Sequence, residues 1–311
     1  MRRWSFTDKP LPSETTMSAS TIRIAGVPEH FNLPWHLGIE EGHFERVAAE
    51  AQFQVFSGGT GAMMRAVADD EVDLAIVLSE GCIQSLTSGT PAKIVKTFVE
   101  SPLIWGIHTP ATSNIQSLQQ MQGKRYAISR FGSGSHLMAI VDADLRGWST
   151  EGPSFVVVKN LDGARKALAA NEADIFFWEK YTTNPFVDNG EFRRIGQRLT
   201  PWPAFVVCAS DKAIAQRGDA IARLLNQVNK LCRQLAESPE STIDQISQRY
   251  KLPVDQTTAW FETLQWSVDW QMDDEKFVSA IEYLQSLKLI EGAQASNRPS
   301  QVWEDVYRKL L

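Results

Sequence analysis

Two stretches in separate halves of this chain read almost alike. Ala66-Val67-Ala68-Asp69-Asp70-Glu71-Val72-Asp73-Leu74 parallels Ala167-Leu168-Ala169-Ala170-Asn171-Glu172-Ala173-Asp174-Ile175. Each is a helix end, an acidic turn and the start of an apolar strand. Glu71 matches Glu172, and Asp73 matches Asp174. A repeat of this kind points to two architecturally similar lobes whose strands aim at a common place. The competing reading is a chance match between two Ala-rich helix ends.

The elements around each copy support two lobes. Thr21–Val27 is a β-branched run that reads as a strand, and Pro28 stops it. Leu33–Glu41 has helical spacing, with Gly42 behind it as a stop signal. Phe53–Phe56 is a second strand that runs into Ser57-Gly58-Gly59-Thr60-Gly61 and a helix. Asp73–Leu78 is nearly all apolar, as a buried parallel strand should be. The same order recurs at Arg125–Ser129, Leu137–Leu145, Phe155–Val158, Asp162–Ala170 and Asp174–Phe177. Ala204–Ala209 is one more strand, and the chain from about Asp211 is almost wholly helical.

The expected fold is therefore α/β and two-lobed, each lobe a mostly parallel sheet flanked by helices, with a helical C-terminal extension. Residues 20–105 with 205–311 form lobe 1, and 106–204 form lobe 2. Residues 1–19 are polar and rich in Pro, Ser and Thr, and are expected to be an unstructured tail.

Composition excludes several function classes. Among 311 residues the net charge is -6, and no basic block appears, which argues against nucleic-acid binding. No stretch approaches the ~20 apolar residues of a membrane span. Three cysteines without a CxxC make neither a disulfide framework nor a thiolate metal site, and no His/carboxylate pair has zinc-ligand spacing. No metal or cofactor is expected. Neither a signal peptide nor a lipobox Cys is visible, so a cytoplasmic location is expected, periplasmic only if the start is misassigned. Met17 is a second candidate start.

Several segments together resemble the type 2 periplasmic binding proteins, in particular the sulfonate, nitrate and thiamine-precursor receptor group. They are Val27-Pro28-Glu29-His30-Phe31, Gly38-Ile39-Glu40-Glu41-Gly42-His43-Phe44, Phe56-Ser57-Gly58-Gly59-Thr60-Gly61 and Glu71-Val72-Asp73-Leu74-Ala75. In the second half they are Gly123-Lys124-Arg125-Tyr126-Ala127-Ile128 and Glu172-Ala173-Asp174 with Trp178-Glu179 behind it. The resemblance covers about residues 20–235. Without a leader the chain looks like the family's cytoplasmic members. The resemblance implies a small-molecule ligand held between the lobes, and a separately encoded ABC permease as a candidate partner.

Ligands of such folds sit at the C-terminal ends of the strands. Four loops occupy those ends. Ser57, Gly58, Gly59, Thr60 and Gly61 open a helix and offer free amides to an oxyanion. Arg130, Ser133, Gly134, Ser135 and His136 repeat the strand–Gly/Ser–helix arrangement, with Arg130 able to pair with an acidic group. In the third loop, His30 could donate and Phe31 could wall the pocket. In the fourth, Ser79 and Glu80 face their counterparts Trp178 and Glu179, where an aromatic could stack and a carboxylate could accept from a cationic nitrogen.

The expected function is binding of a small anionic or zwitterionic metabolite by hinge closure, without chemistry, the lobes joined near residues 101–110 and 198–205. The alternative is a cytoplasmic enzyme on the same scaffold, of menaquinone-pathway, thiamine-pyrimidine or desulfinase type. That enzyme would need a cleft base, for which His30 and Glu80 are the options, or a cleft thiol, for which Cys82 is the candidate. A third reading, the effector domain of a regulator, lacks a basic helix pair before residue 20.

Overall fold

A computed structural model describes residues 21–151, 154–290 and 298–310. The expected N-terminal tail lies outside the described residues. In the first lobe the chain runs through β1 (Ile22–Gly26), α1 (Leu33–Glu40), β2 (Ala51–Val55), α2 (Gly59–Ala68), β3 (Leu74–Leu78), α3 (Ser79–Thr87) and β4 (Ala92–Val99). It crosses to the second lobe as β5 (Ile104–Pro110), β6 (Arg125–Ile128), α4 (Gly134–Leu145), β7 (Ser154–Val157), α5 (Leu161–Ala169), β8 (Ile175–Glu179), α6 (Asn184–Asp188) and β9 (Phe192–Leu199). It returns as β10 (Phe205–Ser210).

Each lobe holds a five-stranded sheet, ordered β2-β1-β3-β10-β4 in the first and β7-β6-β8-β5-β9 in the second. β1, β2 and β3 are parallel, as are β6, β7 and β8. The strand that enters each lobe from the other is inserted antiparallel: β10 against β3 and β4, β5 against β8 and β9. This exchange is why two connections, not one, join the lobes.

The sequence repeat has a physical cause. Arg23 is the second residue of β1, and its backbone N and Nε donate to Asp73 Oδ2 at 2.7 and 3.2 Å. Arg125 opens β6 and does the same to Asp174 Oδ2, at 2.9 and 3.0 Å. Each guanidinium also reaches the turn between helix and strand: Arg23 Nη1 donates to the Asp70 carbonyl at 2.6 Å, and Arg125 Nη1 to the Asn171 carbonyl at 2.7 Å. Asp70 and Asn171 both take the left-handed conformation, with φ of 60° and 55°. Short polar side chains tolerate it best. The repeat therefore pins the first strand to the third in both lobes.

Three strands and two helices, α3 and α6, were not legible from the pattern. β4, β5 and β9 carry Lys, His, Gly or Arg inside strands, which breaks both the apolar run and the alternation. β3 passes straight into α3, where a loop was expected. The lobe boundary also moves, because Ile104 and Trp105 already pair with Leu199 and Glu179 in the second sheet.

Five helices follow among the described residues: α7 (Asp211–Glu237), α8 (Pro239–Tyr250), α9 (Val254–Phe261), α10 (Asp274–Ser286) and α11 (Pro299–Val306). α7 packs on α1, β10 and β4 of the first lobe. Two later helices reach across to the second. Tyr181 Oη donates to the Ala259 carbonyl at 2.9 Å, and Tyr283 Oη to Asp144 Oδ2 at 2.7 Å. Among the described residues, no helix is long and apolar enough to cross a membrane.

Candidate functional site

The loops at the strand ends of both lobes enclose a cavity of about 330 Å³. The equivalence of β1 with β6, and of β2 with β7, decides which loops face it. Ser57–Thr60 follow β2, whereas Ser129–Ser135 follow β6. The two Gly/Ser turns are therefore not equivalent positions of a repeat, although both line the cavity. The true counterpart of the first turn is Lys159-Asn160 after β7, which also lines it. The counterpart of Arg130 is the loop after β1, which brings Val27, Pro28 and Glu29 to the same space.

The first turn carries α2, whose N-terminus has no side-chain cap. Gly59 sits at φ 63°, a conformation glycine adopts without strain. Its amide is used by the Phe56 carbonyl at 3.2 Å, while those of Gly58, Thr60 and Gly61 have no acceptor among the described residues. Thr60 Oγ1 is spent inside the lobe, accepting from the Leu78 amide at 3.2 Å.

The second turn is more self-contained. Ser135 Oγ accepts from the Ser129 amide at 3.0 Å, and Ser133 Oγ donates to the Arg130 carbonyl at 2.7 Å. These hydroxyls shape the loop. The amides of Gly134 and Ser135, at the start of α4, remain without acceptors among the described residues. A carbon added to Gly134 would lie 2.7 Å from Trp105 and 2.8 Å from Leu78, so this glycine lets the lobes approach.

Arg130 spans the gap. Its Nη1 donates to the Gly58 carbonyl of the other lobe at 3.1 Å. Burial, and then the charge of Arg65, hold its pKa below the ordinary guanidinium value. On its far side a second hollow of about 510 Å³ is lined by Arg65, Gly61, His136 and Lys288. Thr60 and Arg130 line both spaces, so Arg130 is the wall between an inner cleft and a basic mouth.

The inner cleft has flat and acidic parts. Trp105, Trp178, Phe56 and Phe205 give it aromatic walls. Trp178 is backed by Phe176, ring centroids 5.2 Å apart. The buried indole nitrogen of Trp105 has no partner among the described residues. Glu179 ends β8, and its Oε2 accepts from the Thr182 amide at 2.6 Å. Burial pushes its carboxyl above the ordinary range. Glu29 is pushed up to about 8, by burial and then by the charge of Glu179.

Six expected ligand residues fall outside this cleft. His30 and Phe31 turn into the core, because the chain after Pro28 closes as a 3-10 turn under the C-terminal helices. The His30 ring lies 4.2 Å from that of Trp260, and burial lowers its pKa to about 3. Phe31 packs between Phe205 and Trp260. Ser79 and Glu80 are the first turn of α3 and face the lobe connections. Ser79 Oγ donates to the Pro203 carbonyl at 2.5 Å, and Glu80 Oε2 accepts from Trp202 Nε1 at 2.8 Å. His136 points away into the mouth, where its Nδ1 accepts from the Gly132 amide at 3.1 Å. Gly61 also belongs to the mouth. The enzyme reading loses its groups in the same way, since Cys82 is fully buried in the core beside Cys208.

Glu29, Trp105, Lys159, Asn160 and Asp162 were missed as cavity residues. The internal repeat held the signal for two of them: extending it to the loop after β7 points to Lys159-Asn160. The connections sit where Leu103 and Thr200 exchange hydrogen bonds of 2.9 and 3.1 Å, and Trp202 is buried between them.

Comparison with known proteins agrees with this architecture. Residues 105–198 match the model of the family described as Ca3427-like PBP. The Candida albicans CA3427 gene product, whose structure is described as defining a new family with the generic periplasmic binding protein fold, superposes with a TM-score of 0.84. It is 25% identical, over 93% of this chain and 96% of that one. The alkanesulfonate-binding protein SsuA from Xanthomonas axonopodis pv. citri, solved with MOPS, gives 0.74 at 16% identity, over 93% and 98%. The nitrate-binding protein NrtA from Synechocystis PCC 6803 gives 0.69 at 13% identity, over 93% and 86%. No curated protein matches the sequence.

Proposed function

From the premise that this chain is type 2 periplasmic-binding-protein-like, we propose that it binds one small anionic or zwitterionic molecule between its lobes and closes on it without chemistry. The carrying observation is the 330 Å³ cavity whose walls come from both lobes and whose mouth is crossed by the Arg130–Gly58 hydrogen bond. A guest there touches both lobes at once, so it binds the closed form better than the open one and shifts the population toward it. The uncapped α2 N-terminus, Arg130 and Lys159 suit an acidic group. The aromatic walls suit a flat body.

In this reading the mouth gathers anions by its local charge on a protein that is acidic overall. The proteins named above for alkanesulfonate and nitrate have this fold, which supports an acidic group on the guest. A permease partner fits the reading, as ABC importers receive cargo from proteins of this architecture. The test is a thermal-shift screen of small aromatic and heterocyclic acids, amines and zwitterions. The proposal expects at least one saturable binder, weakened about tenfold or more by Trp178→Ala. A binder indifferent to Trp178→Ala and Arg130→Ala would place the site elsewhere.

A further inference from the structure

The cleft was expected to take an anionic or zwitterionic guest, and it carries a pair of carboxyls, one from each lobe. Resting on the cleft-binding reading, we infer that Glu29 and Glu179 together receive a cationic or multiply N–H-donating edge of a flat ligand, so that the physiological guest is a zwitterion or an amino-substituted heterocycle. Both residues line the cavity, and so do Trp105 and Trp178. Trp105 is the antiparallel partner of Glu179 in the sheet, which sets an indole beside the acid. A planar nitrogen base lying against these rings would present its N–H edge to the carboxyls.

The pair is not neutralised by the protein. Among the described residues neither side chain has an ion-pair partner within salt-bridge distance. Arg194, whose charge reaches Glu179, is committed to the Lys180 carbonyl at 2.6 Å and Asn184 Oδ1 at 2.7 Å. Glu179 spends one oxygen on the Thr182 amide, and among the described residues the Glu29 carboxylate accepts no hydrogen bond. Two acids facing one space, Glu179 buried and Glu29 half-buried, are expensive to ionise together, unless a positive group arrives between them. The other charged groups facing the pair are Arg130, Lys159 and Asp162 in the cavity, and Lys180 beside Glu179. Tyr181 and Tyr250 are its titratable neighbours, both shifted upward and so neutral near pH 7.

The consequence is a sorting rule. A bare sulfonate or nitrate satisfies the Arg130 side and leaves the acids unpaired. A guest with a positive edge satisfies both. A cation displaces the proton that Glu29 holds below about pH 8, so its binding tightens as pH rises from 6 to 9.

Benzamidine and benzenesulfonate are matched probes, flat rings of opposite charge that do not titrate in this range. Isothermal titration of the full chain is expected to show benzamidine binding, with a proton released at pH 7, and affinity at least tenfold lower in Glu29→Gln and Glu179→Gln. Benzenesulfonate affinity should be unchanged or higher in both variants. Thermal melts of the unliganded variants check that they fold. Benzenesulfonate bound in a Trp178-dependent way, with no benzamidine binding or none sensitive to the two Gln variants, overturns this inference and leaves the cleft reading standing. Failure of both probes overturns both.

Discussion

Arg130 in the second lobe donates to the carbonyl of Gly58 in the first, across 3.1 Å. Its guanidinium lies so close to Gly61 that a carbon added there would stand 2.0 Å from Nη2. The glycine thus makes room for a long cation that bridges the two lobes. Gly61→Ala should displace Arg130 while leaving α2 intact. Losing this partly exposed contact is worth about 1 kcal/mol, roughly a fivefold loss of guest affinity. Equilibrium titration of any thermal-shift hit measures it, with circular dichroism as the control for fold.

The two copies of the strand-pinning pair should differ in their cost of removal. The Asp73 side chain is 1% exposed and also meets Arg217, whereas that of Asp174 is 19% exposed. Removing a buried partner strands its cations and costs about 3–5 kcal/mol. A more exposed pair is screened and worth about 1 kcal/mol or less. Chemical denaturation of Asp73→Ala and Asp174→Ala should show the first far more damaging, and equal losses would contradict this reading.

Glu80 predicts a pH-dependent effect. It is buried at the lobe connection, accepts from Trp202, and its carboxyl is pushed up to about 7 by burial. Its folded pKa lies above the unfolded value of 4.5, so the folded state holds the proton more tightly. Stability is therefore lost as pH rises from about 4.5 to 7, by on the order of 3 kcal/mol from this group. Glu80→Gln should raise Tm relative to wild type at pH 8 and change it little at pH 5. A gain that is equal at both pH values would contradict the assignment.

The C-terminal helices tether the second lobe to the first. Tyr283→Phe removes the hydrogen bond to Asp144 and Tyr181→Phe the one to Ala259. Each should lower stability by about 1 kcal/mol. Each should also speed hydrogen exchange in α4 or α6 more than in α2. Uniform acceleration across both lobes would mean the tethers only support the fold.

The two-lobed fold was legible because its repeat is local: a helix end, a polar turn in the left-handed conformation and an apolar strand lie within nine residues. The exchanged strands were not, since β5 and β9 owe their places to pairing across long loops. β9 reads Phe-Arg-Arg-Ile-Gly-Gln-Arg-Leu and shows no clean alternation. The same limit acted on the cleft. The Gly/Ser turns were readable as helix starts after strands. Whether a side chain two positions along turns in or out depends on packing against distant helices, which sent His30 to Trp260 and Glu80 to Trp202. Glu29, next to His30, received the cavity position instead.

Small-angle X-ray scattering of wild type and Arg130→Ala, each with and without a saturating thermal-shift hit, tests lobe closure most directly. The account predicts that the unliganded variant has a larger radius of gyration than wild type, and that the guest brings it back to the wild-type value. A variant that binds the guest with one-to-one stoichiometry while keeping its radius unchanged would contradict closure around a shared ligand.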